Sequence, residues 1–276
     1  MNVTEVIASI RGGLGQDGPD AAGQGLVAGD GAAQVRRLLV CQSPSVAVLR
    51  VAAAKPGTLV IAREHPYYLH DESVWSARVD TELLASNDPV VAGKKAIIEA
   101  GGVAVYRLSR AWDAAHPKAQ AEALAETLGW KTAESGSGRK AVCDIAPVAL
   151  ETLARQVKER LEAGHVRVTG ARDARISRVA LLPEFISIVE ARELMAATPL
   201  VDGIVCGESC EWEAAVYLKD TFDMRRAPIS LIFAGTQPTQ EPGVRAMHGW
   251  IAKRFKKLAV AYQDIARPVR NLEELA

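Results

Sequence analysis

From residue 35 onward, short apolar runs alternate with stretches whose apolar positions recur at helical spacing. "VRRLLVCQ", "GTLVIA" and "VAVYRLS" read as strands, separated by helical "PSVAVLRVAAAK" and "PVVAGKKAIIEAG", with a long loop before the second helix. "AQAEALAETLGW" predicts another helix and "KAVCDIA" another strand. "PVALETLARQVKERLEAG" predicts an amphipathic helix opened by Pro147 and closed by Gly164. The same order then returns: "RISRVALL", "VDGIVCGE" and "APISLIFAG" as strands, "EFISIVEARELMAATP" and "EWEAAVYLKDTFD" as helices. Residues 1–10 predict a short helix, and "GGLGQDGPDAAGQGLVAGDG" after it is too glycine-rich and aperiodic for anything but a loop.

Strands separated by helices of this length predict an α/β fold with mixed, parallel-rich sheets. The repeated β-α-β-α-β order predicts two related halves with a cleft between them. The boundary is expected near residue 130, giving halves 1–130 and 131–276, with the C-terminal tail packing back on the first half.

Composition narrows the partners. Lys plus Arg and Asp plus Glu number 33 each, so no bulk field draws in a polyanion, and no nucleic-acid partner is expected. Residues 1–30 lack an uninterrupted apolar leader core, and no later run approaches the ~20 apolar residues of a membrane helix, so no membrane partner is expected. The four cysteines, Cys41, Cys143, Cys206 and Cys210, are too few and too unevenly spaced for a disulfide framework, which suggests a reducing, cytoplasmic setting.

In open α/β sheets ligands collect beyond the carboxyl ends of the strands. Four such ends carry polar residues: "REHP", "LSRAWD", "CGESCE" and "AGTQPTQ". Each has a purely structural explanation too. His65 and Pro66 can simply end a strand, Asp113 can cap a helix, and Glu208 can sit at a helix N-terminus. "GESCE" imitates a nucleophile turn, but Glu211 stands where that turn requires glycine.

Those four loops resemble the NGG-interacting factor three family, dinuclear metal centre proteins also described as GTP cyclohydrolase type two-like. "GTLVIAREHP" is similar to the family's apolar strand ending in His-His-Pro. "VAVYRLSRAWDAAHPKAQAEALAETLGW" resembles its Tyr-x-x-His-x-x-x-Asp segment, "VDGIVCGESCEWEA" its Asp-x-x-x-Thr-Gly-Glu segment, and "LIFAGTQPTQEPGVRAM" its Gly-His-x-x-x-Glu-x-x-Gly-Val segment. The resemblance implies a hexameric toroid, hence a homo-oligomer, and a metal-dependent hydrolase of a nucleotide-like or heterocyclic small molecule.

Carried over through that spacing, the implied metal ligands are His65, Asp113 and Glu64, while Ser109, Thr236 and Gln240 replace family ligands. Adjacent Glu64 and His65 point to opposite faces of an extended chain, so each would serve a different ion position. Glu64 and Asp113 supply too little negative charge for a metal pair, leaving one divalent ion or none. Glu64 or Glu208 would be the general base. His70, His116, Cys206 and Cys210 lie close enough in sequence to contribute. The competing expectation is a non-catalytic, ring-forming protein that binds a small ligand or a partner after losing its metal centre. A third is metal trafficking through Cys206, Cys210 and His65.

Overall fold

A computed structural model describes residues 1–16, 20, 23–70, 82, 88–134, 139–224, 228–265 and 267–271. Its strands are β1 (Gly25–Ala28), β2 (Arg37–Cys41), β3 (Thr58–Ala62), β4 (Ala104–Arg107), β5 (Thr132–Glu134), β6 (Ala141–Ala149), β7 (Arg167–Thr169), β8 (Arg175–Phe185), β9 (Gly203–Glu208), β10 (Ser230–Phe233) and β11 (Ala259–Tyr262). The helices are α1 (Val3–Gly13), α2 (Val46–Ala53), α3 (Pro89–Ala100), α4 (Arg110–Ala115), α5 (Ala119–Thr127), α6 (Leu150–Arg160), α7 (Ile188–Ala196), α8 (Val216–Asp223) and α9 (Thr236–Arg254). A π-helical turn, Glu211–Ala215, leads into α8. Among the described residues no helix is long and apolar enough to cross a membrane.

The chain divides into two units, Met1–His116 with Met247–Ala266, and Pro117–Ala246 with Arg267–Ala276. The division therefore falls at His116/Pro117 instead of near residue 130. The reason lies in α5: its Ala121, Leu124 and Ala125 are buried in the same core as Leu150, Leu153 and Val157 of α6.

The first unit holds a five-stranded sheet in the order β1-β4-β3-β2-β11. β2, β3, β4 and β11 run parallel and β1 antiparallel. Every residue of β3 is buried, which is why "TLVIA" shows no alternation: a parallel strand covered on both faces has no polar side. One face packs Leu39, Val60, Ala62 and Val105 against Val48, Leu49 and Ala52 of α2 and Val91 and Ile98 of α3.

The second unit holds a six-stranded sheet in the order β5-β6-β8-β9-β10-β7, parallel through β8, β9 and β10 and antiparallel elsewhere. From Val179 to Leu182, alternate residues of β8 enter opposite cores. Ile176, Val179 and Leu181 meet α5 and α6, and Ala180 and Leu182 meet α7 and α8. The repeated order seen in sequence is a repeated topology. In each unit a short strand, β1 or β7, precedes the β-α-β-α-β run and pairs antiparallel with its third parallel strand, β4 or β10.

Several local expectations change. The glycine-rich segment expected to be loop contains β1, a short strand that pairs with β4 and packs Val27 and Ala28 against the core. Pro147 does not open α6; β6 continues through it to Ala149. The register of β6 against β8 shifts between Asp144 and Val148, so Pro147 occupies irregular pairing where its missing N–H breaks no ladder bond. β8 likewise runs on to Phe185, and α7 starts later, at a capping box in which Ser187 and Glu190 satisfy each other's backbone N–H groups. The long loop expected after β3 lies largely outside the described residues.

Candidate functional site

In the first unit the site candidates descend from the ends of β3 and β4. β3 stops at Ala62, and Arg63, Glu64 and His65 follow in irregular chain. β4 stops at Arg107, and Ser109 leads into the short helix α4 that carries Asp113.

Arg63, which the sequence reading passed over, dominates this region. Its side chain is 4% exposed, and it grips Asp113 with both terminal nitrogens, Nη1 to Oδ1 and Nη2 to Oδ2, each at 2.9 Å. Such a fork on a carboxylate is the strongest ion-pair geometry available to a side chain, because two charge-assisted hydrogen bonds form in one plane. Arg107 plays a parallel part. Its Nε donates to the Arg63 carbonyl at 3.2 Å, its Nη1 to the Gly23 carbonyl at 3.1 Å, and its Nη2 lies 3.7 Å from Glu64 Oε2. Two carboxylates and two guanidiniums thus meet here, and both arginines have further partners besides.

His65 is buried and tilted edge-on to the Tyr67 ring, 5.5 Å between centroids. Its Nδ1 accepts the Tyr67 backbone N–H at 3.1 Å. A backbone N–H can only donate, so the Nδ1 lone pair is committed, and the neutral imidazole carries its proton on Nε2. The loop itself is clamped by Lys94, a buried lysine of α3. Its Nζ donates to the Pro66 carbonyl at 2.6 Å and sits 4.1 Å over the Tyr68 ring.

Ser109 is also buried. Its hydroxyl donates to Gln24 Oε1 at 2.9 Å, and the same oxygen accepts the backbone N–H groups of Ser109 and Arg110 at 3.3 Å. Of the two outlying histidines, His70 is exposed. His116 lies against Trp112, the ring centroids 4.3 Å apart and the planes tilted by 50°, in a cluster completed by Trp250.

In the second unit Glu208 ends β9 with its side chain exposed, and Thr236 and Gln240 occupy successive turns of α9. Gln240 is buried and Thr236 half-buried. Gly207 permits close backbone approach here. A Cβ on it would lie 2.8 Å from the Glu184 carbonyl oxygen and 2.9 Å from Thr236 Cα. A cavity of about 290 Å³ opens beyond the carboxyl ends of β9 and β10. Its lining includes Glu208, Thr236, His165, Arg167, Phe233 and Arg267. Ser209, the residue of the nucleophile-like turn, gives its hydroxyl hydrogen to the Ile186 carbonyl at 2.9 Å.

The implied metal does not fit these donors. Both Asp113 oxygens face a permanently charged guanidinium, which supplies the positive charge a cation would bring. Glu64 stands near a second guanidinium, and neutral His65 offers its remaining nitrogen as a donor. Among the described residues no three of His, Cys, Asp and Glu form a group that could hold a metal ion. Cys206 is buried in β9, and burial pushes its thiol well above the ordinary range, away from the thiolate that metal ligation requires.

The family model for Duf34/NIF3 (NGG1p interacting factor 3) matches residues 1–265. No curated protein matches the sequence. Among solved structures, the chain is similar to a protein named ybgI, of unknown function, at 21% identity and a TM-score of 0.73, covering 98% of this chain and 100% of that one. It is similar to the hypothetical protein SA1388 of Staphylococcus aureus at 14% identity and a TM-score of 0.73, covering 99% of each chain. It also resembles reduced HcgD of Methanocaldococcus jannaschii at 15% identity and a TM-score of 0.67, covering 96% of this chain and 98% of that one. At such identities the likeness is one of fold.

Proposed function

This chain belongs to the Duf34/NIF3 family, and on that premise we propose that it is a non-catalytic member that binds a small molecule without a metal. The observation that carries the reading is the two-pronged Arg63–Asp113 pair. Asp113 is the carboxylate that the family resemblance nominates as a ligand, and here a fixed organic cation takes both of its oxygens. The Nδ1 bond that commits His65 points the same way. A ligand-binding role, instead of none at all, is supported by the cavity beyond β9 and β10, the position where open parallel sheets collect ligands. The six-chain ring implied by the resemblance belongs to the same reading; light scattering that returns a monomer would remove it.

The test is elemental analysis of protein purified without added metal, paired with thermal unfolding before and after chelation. The expected result is substoichiometric metal and an unchanged melting temperature, since a ligand that binds only the folded state would raise it. Stoichiometric divalent metal lost on chelation, together with chelator-sensitive hydrolysis of a nucleotide, would restore the metal-dependent hydrolase.

A further inference from the structure

We propose that the cavity at the carboxyl ends of β9 and β10 is a binding site for a compact molecule bearing an oxyanion, a phosphate monoester or a carboxylate, held through Arg267 and His165. The inference deepens the metal-free reading above and rests on it in one respect: the recognition charges come from the protein itself and not from a bound metal ion.

Some charges in the cavity are already committed. Arg167 lines the wall, but it pairs with Glu211 and its guanidinium lies 5.4 Å over the Phe233 ring. Arg267 is different: it is half-buried at the same cavity and makes no ion pair among the described residues. A cation that is partly withdrawn from water and has no counter-charge raises the affinity of its surroundings for an anion, and a guanidinium does so with a planar fork matched to phosphate or carboxylate. His165 stands on the same wall as a second nitrogen donor.

The segment carrying Arg267 is anchored, because the Asn271 side-chain amide donates to the Gly164 carbonyl, next to His165. The segments that carry Arg267 and His165 are therefore held to each other by this side-chain-to-backbone bond. The opening residue of α9, Thr236, also faces the cavity, and the positive end of a 19-residue helix adds to the same field. Glu208 supplies the opposite charge. It has no ion pair among the described residues, and it favours a ligand with a hydroxyl or amine away from its anionic end.

Volume limits the ligand's size. About 290 Å³ corresponds to roughly ten waters at ~30 Å³ each and sits at the lower edge of the ~300–1,000 Å³ typical of ligand sites. A sugar phosphate or small hydroxy acid fits that space; a dinucleotide does not.

The experiment titrates the full-length protein, in chelator, with ribose 5-phosphate, ribose and malate, reading thermal shift and calorimetric affinity. Stabilisation by ribose 5-phosphate but not by ribose identifies the phosphate as the recognised group; stabilisation by malate alone assigns the site to carboxylates. In either case Arg267→Ala should weaken binding by about tenfold or more, and Arg267→Lys, which keeps the charge without the fork, by less. Circular dichroism and an unchanged melting temperature without ligand establish that the variants fold. The proposal is overturned if neither oxyanion stabilises the wild type, or if Arg267→Ala and a second variant, His165→Ala, both bind as the wild type does. These results are separable from the fate of the metal-free reading, which stands or falls on elemental analysis: anion binding that survives chelation and is lost with Arg267 supports the site whatever metal is found elsewhere.

Discussion

Removing either member of the Arg63–Asp113 pair should cost more than removing a surface ion pair, and the two losses should not add. Arg63 is 4% exposed and Asp113 22% exposed, so each single variant takes the two-pronged partner away from a charge in a partly desolvated setting. Breaking a fully buried pair costs ~3–5 kcal/mol; with Asp113 partly solvated the expected cost of Asp113→Ala is lower, about 2–3 kcal/mol. For a chain of this size that corresponds to roughly 4–10 °C in melting temperature. Arg63→Ala should cost as much or more, because it also removes the packing of its stem. The double variant should then be only slightly worse than the poorer single variant, giving a coupling of about 2 kcal/mol in a double-mutant cycle. The assay is calorimetric unfolding of all four proteins in chelator, where a metal contribution is absent by design. Additivity to within about 0.5 kcal/mol would show that the two side chains do not act as a pair and would refute the reasoning. So would a wild-type protein that chelation destabilises as much as Asp113→Ala does, because that is how a metal ligand behaves.

Thiol chemistry gives a second test. Burial pushes Cys41 up to about 12 and Cys143 up to about 11, and Cys206 is buried as well, whereas Cys210 is partly exposed. One thiol should therefore react rapidly with a disulfide reagent near pH 8 and the other three only after unfolding; two or more fast thiols would contradict the burial pattern. Gly207→Ala should destabilise by about 1–3 kcal/mol, since its Cβ would meet backbone atoms of Glu184 and Thr236 that cannot rotate away, and an unchanged melting temperature would show that the backbone relaxes freely there. Lys94→Met should leave the Pro66 carbonyl without its donor, at about 1–3 kcal/mol, and speed amide exchange at Tyr67. Unaltered exchange would mean that Lys94 does not hold this loop.

The parts of the fold legible in sequence were those whose burial is two-sided or strictly periodic. β3 announces itself because all five residues are buried, and α6 because Leu150, Leu153, Ala154 and Val157 fall on one stripe. β1 and β7 were not legible, because four and three residues carry too little pattern and their stability comes from partners distant in the chain. α9 was hidden by Thr236, Pro238, Pro242 and Gly243, residues that normally mark a loop. Pro238 is tolerated because it falls in the first turn, where no intrahelical N–H is needed.

The site divides along the same line. That Glu64, His65 and Asp113 end strands or open helices could be read from local sequence. That Arg63 belongs to Asp113, fifty residues on, could not, because nothing in the spacing of either residue names the other. The available signal was weaker: an arginine directly abutting a fully apolar strand cannot reach bulk water easily and needs an acceptor nearby. Gln24, whose one oxygen serves Ser109 and Arg110, was invisible for the same reason, lying in a stretch read as featureless loop.

β11 is the last of the described strands, yet it completes the sheet of the first unit by pairing with β2 from Ala259↔Arg37 to Tyr262↔Val40. During synthesis, the sheet of the first unit thus waits for its final member until residues 259–262 have been made, long after β2 itself. Until then β2 presents an uncapped row of amide and carbonyl groups, the kind of edge on which nascent chains stick to one another. A product truncated before residue 259 would keep every element of the β-α-β-α-β core and still be prone to aggregate.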